Sequence, residues 1–183
     1  MTAYARGVVG RACGQYADMD ITEQILEDHY RQRQAFARLD DVDRSDTESL
    51  KLVWEQLADF LEVHAAAEEE VFYPALLEHG DPDREETKDA IKDHNEIRDA
   101  IAEAAKHAAG SDAWWTAVGD ARTANTDHMA EEEDEGLPDF RRHASLALRA
   151  ELGTRFEAAK NPRVADELDQ ADKDPDEYVE ANI

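Results

Sequence analysis

Four histidines and two glutamates follow a spacing that suits metal ligands. They are His29, His64, Glu68, His94, His128 and Glu132. In two places a histidine precedes a glutamate by four residues, so one face of a helix can aim an imidazole and a carboxylate at the same point. Each of these pairs also follows a single histidine, at nearly equal distances along the chain. The sequence therefore predicts one helical hairpin built twice around a two-metal centre.

The chemistry of these donors favours iron. Imidazole nitrogens and carboxylate oxygens, with no thiolate among them, suit iron and, less well, manganese or zinc. Glu68 and Glu132 can each bridge two ions, while the four histidines are divided between the ions either hairpin by hairpin or in a crossed arrangement. Acidic neighbours in 68–70 and 131–133 leave the carboxylate register open, although a spacing of four best fits one helix face.

A buried arrangement of this kind needs a cation. A lone inward histidine is usually a hydrogen-bonded core residue, but residue counts from the helix ends predict that all four histidines lie at one level. Four imidazoles and two carboxylates would be very costly to bury without a metal, because no buried arginine or lysine is expected to balance them.

The elements that must position these ligands are helices. Apolar residues recur at helical spacing and no segment alternates with period two, which predicts an all-α chain. Helix starts are expected at Asp20, at the 45–48 capping box, at Asp81 with Pro82, and at Ser111. Kinks are expected at Pro74 and Pro138, and the third helix is expected to end at Gly110. Short connections predict an up-down-up-down antiparallel four-helix bundle, followed by a short extra C-terminal helix over 145–159.

This pattern divides the chain into three parts. Residues 1–19 form an N-terminal extension, and residues 20–160 form the bundle domain with its short fifth helix. The acidic segment 161–183 is interrupted by proline and poor in apolar residues, so we expect a mobile tail without chemistry.

The composition excludes several classes of function. Forty-five acidic and 20 basic residues give a formal net charge of −25, which repels nucleic acid and anionic membranes. The single cysteine, Cys13, excludes an intrachain disulfide and a cysteine-based metal cluster. The chain has no long apolar run, and its N-terminus lacks the apolar core of a signal peptide, so we expect a cytoplasmic protein.

The ligand pattern resembles the hemerythrin-like, or HHE cation-binding, family over about residues 20–143. The segment HAAAEEEVFYPAL, which starts at His64, is similar to the second helix of that family. LGTRFEAAK, residues 152–160, is similar to the piece that follows the bundle in bacterial members. The resemblance implies two non-haem iron ions, held by the six residues above and joined by an oxo or hydroxo bridge, that bind dioxygen or related oxidants.

The resemblance does not extend to oxygen carriers. Those members place a further histidine four residues after the third-helix ligand, where this chain has Arg98. They also use a His-xxxx-Asp spacing in the fourth helix, where this chain has His128 and Glu132 four residues apart. The departures therefore indicate a sensing or peroxide-reactive member rather than a carrier.

Three further residues are candidates beside the ligand-bearing turns. Arg98 is interpreted as a surface residue, as an ion-pair partner of a ligand carboxylate, or as a guanidinium that orients bound peroxide. Tyr30 and Tyr73 are interpreted as packed aromatics or, alternatively, as hydrogen-bond donors, redox-active phenols or substitute iron ligands.

The predicted function is that of a cytoplasmic di-iron protein that binds or reacts with peroxide, dioxygen or nitric oxide. A catalase-like oxidoreductase, active in oxidative stress, is the enzymatic form of this hypothesis. The alternative is an iron- or oxygen-sensing module, or a plain iron-binding module, without turnover. Neither a protein partner nor an oligomeric state is indicated by any motif.

Overall fold

The computed structural model describes residues 19–80, 84–161 and 164–183. Cys13, nearly all of the proposed N-terminal extension and the helix start expected at Asp81 and Pro82 lie outside the described residues. Within the described ranges the chain is helical and contains no strand. No helix in those ranges is both long and apolar enough to cross a membrane.

Four long helical segments form the bundle, and two of them are interrupted by a π-helical turn. The segments are α1 (Ile21–Asp40); α2 (Thr47–Ala67), a first π turn (Glu68–Phe72) and α3 (Tyr73–His79); α4 (Glu85–Ala104); and α5 (Asp112–Glu131), a second π turn (Glu132–Gly136) and α6 (Leu137–His143). After the bundle come α7 (Leu146–Ala159), a short 3-10 turn (Ala165–Glu167) and α8 (Pro175–Ala181).

Capping side chains set the starts of these helices. Asp20 and Ser111 accept hydrogen bonds from backbone N–H groups of the first turns of α1 and α5, as expected. The start of α2 differs from the expected Ser45 by one residue. Asp46 is the N-cap there, because its carboxylate accepts both the N–H and the hydroxyl of Ser49.

The end of α4 was predicted wrongly. The helix stops at Ala104 rather than at Gly110, and a turn fills the residues between them. Gly110 instead has φ +82°, a left-handed conformation that favours glycine, immediately before the N-cap Ser111. The glycine therefore shapes the entry to α5 and does not end α4.

Side-chain contacts fix the antiparallel arrangement. His29 near the middle of α1 contacts Glu133, and Asp40 at the end of α1 accepts a hydrogen bond from Arg122 of α5. Residue numbers therefore increase along α1 in the direction in which they decrease along α5, so the two helices are antiparallel. The same holds for α1 and α2, where Asp28 contacts His64 and Arg31 lies over the ring of Phe60.

Two clusters of buried apolar side chains fill the bundle. One cluster lies at the start of α1 and α4 and includes α3, α6, α7 and α8. The other lies at the end of α1 and α4 and at the start of α2 and α5. His29 falls between Ile25 of the first cluster and Phe36 of the second, and His94 falls between Ile91 and Ile97. The histidines therefore lie in a polar layer between the two clusters.

The helix that follows the bundle packs closely on its first helix. A Cβ at Gly153 of α7 would lie 2.3 Å from the carbonyl oxygen of Met19 and 2.8 Å from the Gln24 amide nitrogen. Because a side chain at this position would collide with backbone, glycine is what lets α7 approach the start of α1.

The C-terminal segment is not the mobile tail that its composition predicts. Asp174 caps α8, and Tyr178 and Val179 are buried against the bundle. The side chain of Asn95 on α4 binds the backbone of Lys173 twice, at 2.8 Å and 3.1 Å. Neighbouring apolar residues on a short capped helix give this acidic segment a buried face, which the average composition conceals.

Candidate metal centre

The structure brings together the six side chains that the sequence pattern selects. They are His29, His64, Glu68, His94, His128 and Glu132, and none of them is more than 4 % exposed. They lie on successive or separate turns of the four bundle segments. Burial of so many ionisable groups in one layer is costly unless they share a counter-charge.

The carboxylate of Glu68 lies in the middle of the four imidazoles. Its Oε1 is 2.8 Å from Nε2 of His64 and 3.9 Å from Nε2 of His29. Its Oε2 is 3.3 Å from Nε2 of His94 and 3.8 Å from Nε2 of His128. One oxygen therefore faces the histidines of the first hairpin and the other faces those of the second.

Two further distances have the scale of ligands on a shared ion. Nε2 of His94 and Nε2 of His128 are 3.2 Å apart, and Oε2 of Glu132 is 3.2 Å from Nε2 of His29. Two donors that each bind one ion at about 2.1 Å, roughly at right angles, lie about 3 Å apart. The spacing therefore fits donors that converge on cations.

Six of the inward atoms lack hydrogen-bond partners among the described residues. Both oxygens of Glu68, both oxygens of Glu132 and Nε2 of His29 and His64 are buried without a hydrogen bond among the described residues. The short distances join these atoms without the angles of a hydrogen bond. No lysine or arginine in the described ranges forms an ion pair with either glutamate. A metal cation would satisfy all of these atoms at once, so the donor set fits one.

The site can be divided into ion positions in two ways. Donor atoms of His29, Glu68, His128 and Glu132 lie within 4.8 Å of one another and could hold a single ion. The two oxygens of Glu68 instead separate the histidines by hairpin. The division by hairpin also includes the Nε2 atoms of His64 and His94, which face the two oxygens of Glu68.

Three of the histidines are held from outside by carboxylates. The contacts from Nδ1 are His29 to Glu133 at 2.9 Å, His64 to Asp28 at 3.3 Å and His94 to Glu69 at 2.8 Å. A carboxylate at Nδ1 fixes the ring orientation and leaves Nε2 free to point inward, as it does around many metal sites. The arrangement therefore preorganises the imidazoles as ligands.

Each of these outer carboxylates also contacts a cationic side chain. The pairs are Glu133 with Arg33 at 2.9 Å, Asp28 with Arg31 at 3.3 Å and with Lys160, and Glu69 with Arg98 and Lys173, both at 2.7 Å. The expectation that no buried basic residue accompanies the site is therefore wrong. These cations balance the outer carboxylates, however, and leave Glu68 and Glu132 without a basic partner.

A π-helical turn begins at each inward glutamate. The N–H of Tyr73 donates to the carbonyl of Glu68, five residues back, and the N–H of Leu137 donates to that of Glu132 in the same way. A proline follows at the next position in both segments, and it has no N–H with which to continue the ladder. The expected proline kinks are therefore accommodated as π turns, which often occur at functional sites.

The first π turn leaves one carbonyl without a helical partner. Pro74 cannot donate to the carbonyl of Glu69, which lies five residues before it. The hydroxyl of Tyr178 on α8 donates to this carbonyl instead. The C-terminal helix thereby completes the hydrogen bonding of the turn that carries Glu68.

Burial and neighbouring charges shift the ionisation of the metal-free centre. Burial lowers the pKa of His64, but the combined effect of Glu68 and Asp28 outweighs it and raises that pKa to about 10. Burial raises the pKa of Glu69, yet His94, Arg98 and Lys173 together outweigh it and bring the pKa to about 2. Burial and the nearby His94 lower the pKa of His128. Protons on imidazoles thus supply positive charge that a metal ion would replace.

The two candidate tyrosines lie in different places. Tyr30 is 55 % exposed, because consecutive residues of a helix point about 100° apart and His29 takes the inward direction; its proposed roles at the metal are therefore wrong. Tyr73 is buried with its ring centroid 5.7 Å from that of His94. Its hydroxyl has no hydrogen-bond partner among the described residues.

Arg98 is buried rather than a surface residue. It is 6 % exposed and donates to Glu69 at 2.7 Å. Of its three interpretations, an ion pair comes nearest, although the carboxylate is the neighbour of Glu68 and not Glu68 itself. Its position four residues after His94, on the same helix face, was the signal for its burial.

Sequence reasoning missed the outer contacts of the site. Asp28, Glu69 and Glu133 each adjoin a candidate ligand in the sequence, and that adjacency is a signal that could have found them. Lys160 and Lys173 have no local signal, because they approach the site from segments beyond the bundle.

The comparisons with known proteins agree with this geometry. Residues 20–140, well over half of the chain, match the hemerythrin HHE cation binding domain. The curated proteins give no match, and neither do the solved structures. The matched segment contains all six inward donors in a helical bundle, and a cluster among them could hold a metal. The chain therefore belongs to the hemerythrin HHE cation-binding domain family.

Proposed function

We propose that this chain binds two non-haem iron ions, joined by an oxo or hydroxo bridge, and reacts with peroxide, dioxygen or nitric oxide. The observation that carries the proposal is the placement of the Glu68 carboxylate between the Nε2 atoms of four buried histidines. A cytoplasmic location, and small oxidants rather than nucleic acid or membranes as partners, remain part of this proposal.

The assignment of ligands follows the two oxygens of Glu68. His29 and His64, which face Oε1, would hold one ion, and His94 and His128, which face Oε2, would hold the other. Glu132 lies nearest to His29 and supplies a second carboxylate. Iron is favoured over manganese and zinc because the donor set is imidazole and carboxylate.

Iron held by these residues would supply the two-electron redox change of peroxide disproportionation, in which one peroxide is oxidised to dioxygen and another is reduced to water. The protein contributes buried donors at fixed positions, because apolar clusters cover the layer from both ends. Burial and the charges of Glu132 and Glu68 raise the pKa of Tyr73. Its hydroxyl therefore stays protonated and is available to donate a hydrogen bond to an oxidant.

Reversible oxygen carriage is not part of the proposal. Arg98 occupies the position where carriers place a further histidine, and it donates to Glu69. The guanidinium is thereby committed to the carboxylate that holds His94, and it cannot replace a neutral imidazole as a ligand.

Metal analysis combined with an optical spectrum tests the proposal. The purified protein should contain about two iron ions per chain, with a spectrum that changes on addition of peroxide and of dithionite. The variants His64→Ala and His128→Ala should lose iron and any oxygen evolution from peroxide. His107→Ala is the matched control, because that histidine pairs with Glu103 at a helix end. Absence of iron, or equal iron in all variants, would contradict the di-iron centre.

The alternative function, an iron or oxygen sensor without turnover, is favoured by one observation. The C-terminal segment contacts Glu69, the residue next to Glu68, through Lys173 and Tyr178. A change in metal occupancy can therefore alter how this segment packs on the bundle. Limited proteolysis of iron-loaded and metal-free protein tests this function. Faster cleavage within 164–183 on iron removal, without oxygen evolution, supports a sensor; equal cleavage contradicts it.

A further inference from the structure

Lys160 closes a chain of contacts that ends at the first hairpin. It lies at the C-terminal end of α7 and forms an ion pair with Oδ2 of Asp28. The same oxygen is 3.3 Å from Nδ1 of His64. The ammonium group also lies 4.4 Å from the centre of the Phe156 ring, and that ring packs against His64 at 5.9 Å. Asp28 and the ring of Phe156 therefore fix the position of the Lys160 ammonium group.

Lys173 closes a matching chain at the second hairpin. Its Nζ is 2.7 Å from Oε2 of Glu69, while Oε1 of Glu69 is 2.8 Å from Nδ1 of His94. Asn95 fixes the backbone of this lysine in both directions. Glu69 is buried, and Lys173 itself is only partly exposed. This contact is therefore built into the fold and is not a loose surface pair.

The two lysines reach histidines on opposite sides of Glu68. His64 faces Oε1 of that carboxylate, and His94 faces Oε2. We propose that Lys160 and Lys173 are positioning residues, and that each tunes one ion of the centre through one carboxylate and one histidine. The inference rests on the proposed two-ion function. Under this inference, the segments that follow the bundle influence the metal site through these two lysines.

The physical reason lies in how a carboxylate acts on an imidazole. A carboxylate that accepts from Nδ1–H makes the ring a stronger electron donor at Nε2. A cation beside the carboxylate draws part of that negative charge away. Loss of the cation should therefore strengthen the histidine as a ligand and favour the ferric state of the nearby ion.

The experiment compares Lys160→Met and Lys173→Met with a matched control. Lys88→Met removes a lysine that bridges α4 to α8 through Asp176 at 2.7 Å and also contacts Glu85. Lys88 contacts none of the outer carboxylates, so its loss reports on docking of α8 alone. Lys160→Arg and Lys173→Arg restore the charge and should restore wild-type behaviour.

Two readouts separate positioning from stability. The first is the ferrous–ferric equilibrium of the iron-loaded protein, measured by spectroelectrochemistry. Each methionine variant should shift it about threefold to tenfold toward ferric iron, where tenfold corresponds to 59 mV for one electron. The second is the ring ¹⁵N NMR signal of each histidine in metal-free and zinc-loaded protein. Lys160→Met should change His64, Lys173→Met should change His94, and Lys88→Met should change neither.

The outcomes distinguish this inference from the proposed function. Wild-type protein without two bound ions overturns the function, whereas the NMR pattern of the metal-free variants still judges the lysines. Unchanged histidine signals in both methionine variants overturn the inference. Equal changes from all three methionine variants also overturn it, because they indicate a general loosening. If a methionine variant does not fold, the corresponding arginine variant is compared with wild type and with the Lys88→Met control. The inference then requires that the arginine variant gives the wild-type histidine signals.

Discussion

The two π turns of the bundle have the same backbone design and different surroundings. Each begins at an inward glutamate and precedes a proline. The first is covered by the segments that follow the bundle, and the side chain of Glu69 within it is 2 % exposed. The second lies nearer to solvent, and the side chain of Glu133 is 27 % exposed. The two turns therefore share a ligand geometry, while the C-terminal segments make their surroundings unequal.

The inequality extends to the charges that support the histidines. Glu69 has two cationic partners, Arg98 and Lys173, and both of its oxygens are engaged. Glu133 has one, Arg33, whose side chain is largely exposed. Buried ion pairs are strongly destabilised by loss of one partner, whereas exposed pairs contribute little. The first π turn should therefore be the more sensitive to substitution.

The inward glutamates give the largest expected effect. Glu68 faces all four histidines, whereas Glu132 contacts His29. Glu68→Gln should therefore release both ions, with a loss of affinity above the roughly 100-fold typical of a residue that only supports a ligand. Glu132→Gln should retain at least one ion. Metal content after dialysis measures this difference, and equal loss in both variants would remove the central role of Glu68.

In the metal-free protein, His64 and His128 should respond differently to pH. The folded-state pKa of His64 is raised to about 10 from 6.5, so its stabilisation is complete below pH 6.5 and is lost as pH rises through 10. The pKa of His128 is lowered, so its contribution is present above pH 6.5 and is lost as pH falls through its folded value. At pH 8, NMR of chelator-treated protein should show His64 charged and His128 neutral. Joint titration near pH 6.5 would contradict this.

The outer carboxylates should differ by a smaller factor. Glu69→Gln should weaken iron binding roughly 100-fold and Glu133→Gln roughly 10-fold, the two ends of the range for such supporting residues. Water can replace the partly exposed Glu133 at His29, but it cannot reach the buried Glu69 at His94 as easily. Competition with a chelator measures both affinities. A larger loss in the Glu133 variant would reverse the ranking of the two halves.

The smallest expected effect comes from the hydroxyl that caps the first π turn. Tyr178→Phe leaves the carbonyl of Glu69 without its donor and should lower the free energy of unfolding by about 1 to 2 kcal/mol. Urea unfolding measures this change. Tyr30→Phe is the control, because that side chain is exposed and its substitution should leave stability unchanged. No difference between the two variants would mean that water serves the carbonyl equally well.

The sequence was sufficient for the architecture and for the inward donors. Helical periodicity and capping residues such as Asp20 are local signals, and the structure has the corresponding helices. The spacing of four between His64 and Glu68 is local as well, so the helix face that carries both could be predicted. Counting turns from the helix ends then placed His29 and His94 at the same level.

The remaining features depend on contacts between distant segments. Glu69 follows Glu68 by one residue and so points about 100° away, toward α4, where its partner His94 lies. Lys173 reaches it from a segment whose acidic composition predicts no packing. The π turn could not be distinguished from a kink at Pro74, because both relieve the missing N–H.

The polar layer between the two apolar clusters has a consequence for cooperativity. The clusters share no side chain, so each is a separate hydrophobic unit on the same four helices. Without metal, the layer between them contains many ionisable groups that are costly to bury. Bound ions would replace those charges with bonds that tie all four helices at one level. We therefore expect the metal to decide whether the molecule melts as one unit or as two.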